Sequence, residues 1–344
     1  MILTSLKIKS FRCFKDKAFE FHPKFNFIAG ANGSGKTALL EAISLLSTGR
    51  SFRLREIIPL IHTDEKEMNL FAELQNGHTV SLRKAIAASS QIKINSQPCL
   101  RTSELTTFLP SQVIYQDLFE IIDAGPNVRR QLLDWGLFHV KHDYHQHLFQ
   151  YRQALKQRNM LLKTGAKPAA FKPWNQTISD LGEWIHSARQ EYIEILIPIF
   201  KEKLNALATF TSEINYFKGW GKENNSQTLQ SALEQNYATD IYKQYTQLGP
   251  HQADLVLTTT TGKAKHYLSR GQQKIVLLTL KLAQAEILAK PCLYIWDDVC
   301  SEIDGVHIEK LSSIIHTLPG QFFITGISFA NNAMPKEAAK LINL

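Results

Sequence analysis

The chain has 344 residues, 44% of them hydrophobic, which is enough apolar material for a large core and more than one lobe. Lysine and arginine outnumber aspartate and glutamate by 39 to 31, and the resulting formal charge of +8 favours an anionic macromolecular partner without demanding one. No apolar run is long enough to cross a bilayer, and the 4 cysteines lack both disulfide density and zinc spacing, so membrane, disulfide-scaffold and zinc-site classes are set aside and a cytoplasmic location is expected.

Met1 to Lys9 alternates polar and apolar residues as a strand does, Phe19 to Phe21 is a short apolar patch, and Phe25 to Ala29 is a further strand. Between them, Arg12 sits on the turn Phe11-Arg12-Cys13-Phe14, where it either touches a bound nucleotide or is solvated. The stretch that follows, Gly30-Ala31-Asn32-Gly33-Ser34-Gly35-Lys36-Thr37-Ala38, reads as a glycine-rich loop opening a helix. Closely spaced glycines let backbone N–H groups converge on phosphates, Lys36 reaches the outer phosphates, and the Thr37 hydroxyl can ligate Mg²⁺. This is a nucleoside triphosphate site, with Gly30, Asn32, Gly33, Gly35, Lys36, Thr37 and Ala38 as its cradle.

Past that helix, Arg50, Arg53 and Arg55 follow Gly49 and are either backbone-phosphate contacts or a solvated loop. Glu67 to Leu74 and Thr79 to Lys84 flank Asn76-Gly77, a hairpin signal, and with Ile92 to Ile94 they predict an antiparallel sheet. Val113 to Tyr115 reads as a core strand ending at Gln116, which either senses the metal and the attacking water or has no such part.

Gly125-Pro126 suits a helix start. Leu133, Leu137, Val140, Tyr144, Leu148, Tyr151 and Leu155 recur at spacings of three and four, predicting one long helix. Its other faces carry Arg129, Arg130, Lys141, Arg152, Lys156 and Arg158, which contact phosphates or form the wet side. His142, His145 and His147 lie close together without acidic or thiolate companions and read as solvated. A second periodic run, Ile178 to Phe200, is interrupted and kinked at Pro198, so the two helices form a short antiparallel arm. Ile214 to Phe217 suggests a strand, 222 to 227 an exposed polar stretch, and Thr228 to Tyr237 a helix.

Ala253 to Thr258 is a strand candidate, and Ser269 caps a long helix running to Lys290. Ser269, Gly271 and Gln272 at that end are either an ordinary cap or a phosphate-binding surface. Cys292 to Trp296 is an apolar strand ending in Asp297 and Asp298, the active edge of a parallel sheet. Asp297 can hold Mg²⁺ opposite Thr37 and Asp298 can orient or deprotonate water, or the pair caps the next loop. Ser301 to Asp304 leads into an amphipathic helix, and Gln321 to Thr325 is a last core strand.

The phosphate loop, the Ser269 segment, the Asp297-Asp298 strand and Ser301 to Asp304, in this order, resemble an ABC-type ATPase of the SMC and Rad50 group. Phe11-Arg12, Thr48 to Phe52, Arg129-Arg130, Leu133 to Gly136, Tyr151 to Asn159 and Gly249-Pro250-His251 narrow the resemblance to the RecF family over nearly the whole chain. The resemblance implies an α/β ABC-ATPase head with a P-loop sheet core, an antiparallel β subdomain and an inserted, mostly helical lobe with a short arm. Its expected boundaries are 1–124 and 251–344 for the two halves of the head and 125–250 for the insertion.

It further implies ATP and Mg²⁺ as cofactors and Lys36, Asp298 and Gln116 as catalytic residues. Thr37, Asp297 and Gln116 would serve the metal, and Arg12 would contact the nucleotide. Ser269, Gly271 and Gln272 of one subunit would close on the ATP of another in a head-to-tail homodimer. The expected partners are double-stranded or gapped DNA and RecR, with RecO and RecA in the same recombinational repair pathway. Asp298 stands where most ABC enzymes carry glutamate, which suits a weak, DNA-stimulated ATPase used as a switch. Two rivals are a RecF-like nucleotide-gated module of anti-phage defence and a transporter ATPase; the basic arm disfavours the second.

Overall fold

The structure, a computed structural model, describes residues 1–54, 56–221, 227–301, 303–326 and 339–344, with the side chains of 116 and 117 excepted. Arg55, most of the 222–227 stretch and Glu302 therefore lie outside the described residues. The chain divides into two compact units, Met1–Leu118 with Ala289–Leu344, and Phe119–Leu288.

The first unit holds two sheets. A five-stranded parallel sheet has the order Ala339–Asn343, Phe25–Ala29, Gly320–Gly326, Cys292–Trp296, Ser111–Ile114. Its Phe25–Ala29 and Cys292–Trp296 strands are buried along their whole length, the signature of a sheet covered on both faces. The second sheet is antiparallel and six-stranded, led by Phe14–Glu20, Leu3–Phe11, Glu67–Leu74 and Thr79–Ala85. Leu3–Phe11 alternates buried and exposed positions, as a strand with one wet face must.

The helix Lys36–Thr48 packs against strands of both sheets. That placement explains its composition: from Leu39 to Ser47 every residue is buried, so Ala38-Leu39-Leu40-Glu41-Ala42-Ile43 has no wet stripe. The helix ends at Gly49, whose left-handed backbone (φ 70°) closes the last turn by donating to Leu45 O, while Lys84 Nζ bonds the Gly49 carbonyl at 2.9 Å.

In the second unit, Pro126 occupies the first turn of the Pro126–Val140 helix. The single long helix expected from residue 126 onward is in fact two: Pro126–Val140 and Tyr144–Thr164. Lys141 adopts an extended backbone, and the chain turns so that buried Tyr144 brings its hydroxyl back to Asp134 Oδ1 at 2.6 Å. The bond of buried Tyr144 to a carboxylate offsets part of the helical hydrogen bonding lost at the break. The apolar periodicity survives because both helices bury the same kind of face.

Tyr144–Thr164 pairs with Lys172–Leu207, which continues through Pro198 as helix. Contacts of Arg158 with Asn175, His147 with Trp184 and Tyr144 with Arg189 run in opposite directions along the two helices, an antiparallel arm. Thr228 caps Leu229–Gln235 by accepting from Ser231 N, and Glu213–Phe217 pairs with Asp254–Thr259 in a small antiparallel sheet. The Arg270–Leu288 helix, buried from Gln273 to Leu280 and from Leu282 to Ala285, also packs within this unit.

Candidate functional site

Phe25–Ala29 delivers the chain into the loop Gly30–Gly35, from which the Lys36–Thr48 helix begins. Gly35 sits at φ 106°, and a Cβ there would lie 2.8 Å from Cys13 Sγ and 2.9 Å from the Phe14 ring. Only glycine fits this approach of the loop to the Arg12 turn. Lys36 bends back over the loop, its Nζ donating to Gly30 O at 2.7 Å and Ala31 O at 2.9 Å, so its ammonium stands among oxygen acceptors at the loop mouth.

Across the parallel sheet, the acids arrive at the end of Cys292–Trp296 as the sequence predicts. Thr37 Oγ1 donates to the Asp297 carboxylate, 2.9 and 3.1 Å from its two oxygens. Thr325, at the end of the neighbouring strand, donates its hydroxyl to Asp297 Oδ1 at 2.7 Å and accepts from the Asp298 N–H at 2.9 Å. Asp298 itself has a left-handed backbone (φ 51°), unusual for a residue other than glycine, and its carbonyl receives both the N–H and the hydroxyl of Ser301. Thr325 was not singled out by sequence; a polar residue closing the apolar run Phe322-Phe323-Ile324 was the available signal.

These groups share one cavity of about 620 Å³, lined by Asn32, Gly33, Gly35, Lys36, Thr37 and Ala38 on one side and Asp297, Asp298 and Thr325 on another, with Arg12, Cys13, Arg53 and Tyr115 completing the wall. Its volume lies in the range of small-molecule and cofactor sites. Lysine among acceptors, the first N–H groups of a helix and a hydroxyl facing a carboxylate at 2.9 Å are donors and hard oxygen ligands of the kinds a polyphosphate and a Mg²⁺ ion take. The residues present fit both groups. Gln116 opens a short 3₁₀ turn, Gln116–Phe119, and its side chain lies outside the described residues.

Ser269 belongs to the second unit. Its hydroxyl accepts from Gln272 N at 3.3 Å while Gln272 Oε1 accepts from Ser269 N at 2.9 Å, a reciprocal capping box that uses two of the segment's donors. Arg270 is held separately: its Nη1 reaches Asp123 Oδ2 at 2.7 Å and its guanidinium lies 4.9 Å from the centre of the Phe119 ring. That contact keeps the Asp123 carboxyl below the usual range. Asp304 caps the Gly305–Thr317 helix by accepting from His307 N at 3.0 Å.

The arginines expected to meet DNA divide by burial. Arg50, Arg53, Arg152 and Lys156 are exposed, and half-buried Lys141 pairs with Glu191 at 2.6 Å. Arg129 is instead committed to Asp254, at 2.7 and 3.1 Å, and to the Ile121 and Ala124 carbonyls, while Arg130 donates to Ala253 O. Arg158 corrects the expectation outright: it is 0% exposed and bonded to Asp240, Asn175 and Thr246, so no phosphate reaches it. Among the described residues no group of three or more histidine, cysteine and acidic side chains is placed to hold a metal ion, and His147 stacks on Trp184 with ring centres 3.8 Å apart.

His251 supplies a pH-dependent joint in the second unit. Its Nδ1 lies 2.7 Å from Tyr151 Oη and its Nε2 donates to Thr246 O at 2.9 Å. Burial pushes its pKa down to about 4 from an ordinary 6.5. Between those values the unfolded chain binds a proton that the folded chain refuses, so stability is complete above pH 6.5 and falls as pH drops toward 4. We expect a loss of about 3 kcal/mol over that window, measured by urea unfolding, and a flatter profile in His251→Gln. Equal pH profiles for the two chains would remove His251 from this role.

Comparison with known proteins follows the same lines. A family model for the RecF/RecN/SMC N terminal domain matches residues 2–344. The DNA replication and repair protein RecF of Marinomonas sp. (strain MWYL1) is 37% identical over 336 residues, covering 95% of this chain and 90% of that protein. The solved structure of the recombination mediator protein RecF-ATP in the RecFOR pathway has a TM-score of 0.82 at 27% identity, covering 96% of this chain and 93% of that one. The Smc head bound to the C-winged helix domain of ScpA, at 17% identity and a TM-score of 0.59, shares the fold alone.

Proposed function

The chain belongs to the RecF/RecN/SMC N terminal domain family, on its RecF branch, and from that premise we propose that it is an ATP-dependent DNA-binding dimer and slow ATPase of recombinational repair. Its coarse identity, a RecF-type DNA-repair ATPase that binds nucleotide, follows from that membership. The observation that carries the finer reading is the single cavity uniting Lys36 and Thr37 with Asp297 and Asp298.

When bound, ATP supplies the transferable phosphoryl group and Mg²⁺ the positive charge that its oxygens need. Lys36 holds the outer phosphate oxygens, and Thr37 with Asp297 presents two oxygens to the cation. Asp298, its backbone set by Thr325, orients water and takes its proton. Gln116 would attend the metal and the attacking water, and Arg12 would contact the nucleotide. Ser269, Gly271 and Gln272 of a second subunit complete the site, so closure and dimerisation are one event. Exposed Arg50, Arg152 and Lys156 then meet gapped or double-stranded DNA, where RecR and RecO assist in placing RecA, whereas Arg53 lines the nucleotide cavity.

The test is binding to double-stranded, single-stranded and gapped DNA, with and without ATP, over a salt series while mass is followed. We expect ATP to produce the dimer, to tighten DNA binding about 10-fold or more, and to steepen its decline with salt as more phosphates are neutralised. Affinity indifferent to ATP, with a monomer throughout, would defeat the reading.

A further inference from the structure

Within the first unit one carboxylate has no part in the chemistry described above, yet it is fully buried beneath the cavity. Glu41 lies on the Lys36–Thr48 helix, five residues after Lys36, with 0% of its surface exposed. Its two oxygens accept from Arg12, Oε2 from Nε at 2.8 Å and Oε1 from Nη2 at 3.0 Å, a bidentate fork. Oε1 also accepts from the Ser51 hydroxyl. Ser51 Oγ in turn accepts from the N–H groups of Arg53 at 3.0 Å and Leu54 at 2.9 Å. One carboxylate therefore ties together the two segments that bring arginines, Arg12 and Arg53, to the cavity wall.

The Arg12 turn is held from its other sides too. Arg12 has a left-handed backbone (φ 51°), its N–H donates to Leu60 O at 2.9 Å, and its carbonyl lies 2.7 Å from His62 Nδ1. Arg12 Nη1 reaches Pro59 O at 3.0 Å. A guanidinium has five N–H donors; Glu41 and Pro59 engage three of them. Among the described residues, one N–H on each terminal nitrogen is left, on a side chain 20% exposed at the cavity wall. An unfavourable backbone conformation fixed from several directions is the mark of a group whose position matters.

We infer that Glu41 is a positioning residue of the nucleotide site: its buried carboxylate presents the remaining donors of Arg12 to a polyphosphate and, through Ser51, sets the turn that carries Arg53. This rests on the cavity being a nucleotide site. Glu41 does not touch the ligand; it acts through Arg12 and Ser51. Glu41→Gln keeps the shape but loses the charge and one acceptor, so Arg12 is no longer gripped on both sides.

The experiment is ATP titration of the full chain by a fluorescent analogue, with thermal unfolding of each variant alongside. We expect Glu41→Gln and Arg12→Gln each to weaken ATP binding about 10-fold and the double variant to be no weaker than Arg12→Gln alone, because one acts through the other. Ser51→Ala is expected to give a smaller loss, about 3-fold, and Glu41→Asp to recover part of the affinity. Wild-type affinity in a folded Glu41→Gln, or losses that multiply in the double variant, would overturn the assignment. If Arg12→Gln does not fold, the comparison of Glu41→Gln with Ser51→Ala and Glu41→Asp decides it by the same affinities. Absence of saturable ATP binding by the wild-type chain would instead overturn the nucleotide reading itself.

Discussion

Lys36→Ala is expected to weaken ATP binding about 100-fold and to abolish ATP-dependent dimerisation and hydrolysis. The Lys36 ammonium reaches the loop mouth, 2.7 and 2.9 Å from two carbonyl oxygens, and alanine removes the charge without disturbing the helix start. A hydrogen bond to a charged group contributes roughly 1.5–3 kcal/mol, and two or more such bonds to phosphate oxygens bring the loss to the 100-fold scale. Isothermal titration reads the affinity, and phosphate release reads turnover. Near-wild-type binding by Lys36→Ala would displace the nucleotide from this loop.

The same variant tests whether the site is shared. Ser269→Arg places a bulky cation at the N-terminal end of the Arg270–Leu288 helix and breaks the capping box with Gln272, a cap worth about 1 kcal/mol. Alone, it too is expected to lose ATP-dependent dimerisation. Mixed with Lys36→Ala, it regenerates one composite site in each mixed dimer, where intact Lys36 meets intact Ser269. Because neither variant dimerises with itself, the dimers in an equimolar mixture are the mixed ones, each with one of its two sites intact, and recovery of up to about half of wild-type hydrolysis is expected. No recovery on mixing, with both variants folded, would mean that Ser269 serves its own chain only as a helix cap.

The contrast between these residues shows what a linear reading can reach. The phosphate loop was legible because its chemistry is contiguous: glycines, lysine and threonine stand within eight positions, between a strand and a helix. Asp297 was legible from 260 positions away because an apolar strand ending in acids has few other uses, and Thr37 does meet it. Glu41 was not. It interrupts an apolar helix that has no wet face, a position where a charge demands a partner, but nothing in the sequence says that the partner is Arg12, 29 residues earlier. The break at Lys141 was hidden for a related reason. No glycine or proline stands between Val140 and Tyr144, and the turned-back chain is held by the bond of Tyr144 to Asp134, which no local pattern announces.

Arg158 is the sharpest case. Basic residues on a helical arm invite an electrostatic reading, yet Arg158 is fully buried with Asp240, 2.7 Å away and equally buried. Its Nε donates to Asn175 Oδ1 at 2.8 Å, and its Nη1 also reaches Thr246 Oγ1 at 2.6 Å. Asp240 receives Asn236 and the Gln247 N–H, so the pair joins both arm helices to the Tyr237–Lys243 helix and the turn that leads to His251. Arg158→Met keeps the apolar stem but strands a buried carboxylate, and we expect it to cost about 3–5 kcal/mol in urea unfolding. Asp240→Leu should cost a similar amount by stranding the guanidinium. The double variant should recover much of the loss, since an apolar pair of similar volume leaves no charge unpaired, though Asn175 and Thr246 still lose a partner. High salt should change the wild-type value little, because ions do not reach a pair with no exposed surface. DNA affinity per folded molecule should be unchanged in the double variant, and its loss with the fold intact would return Arg158 to the DNA surface.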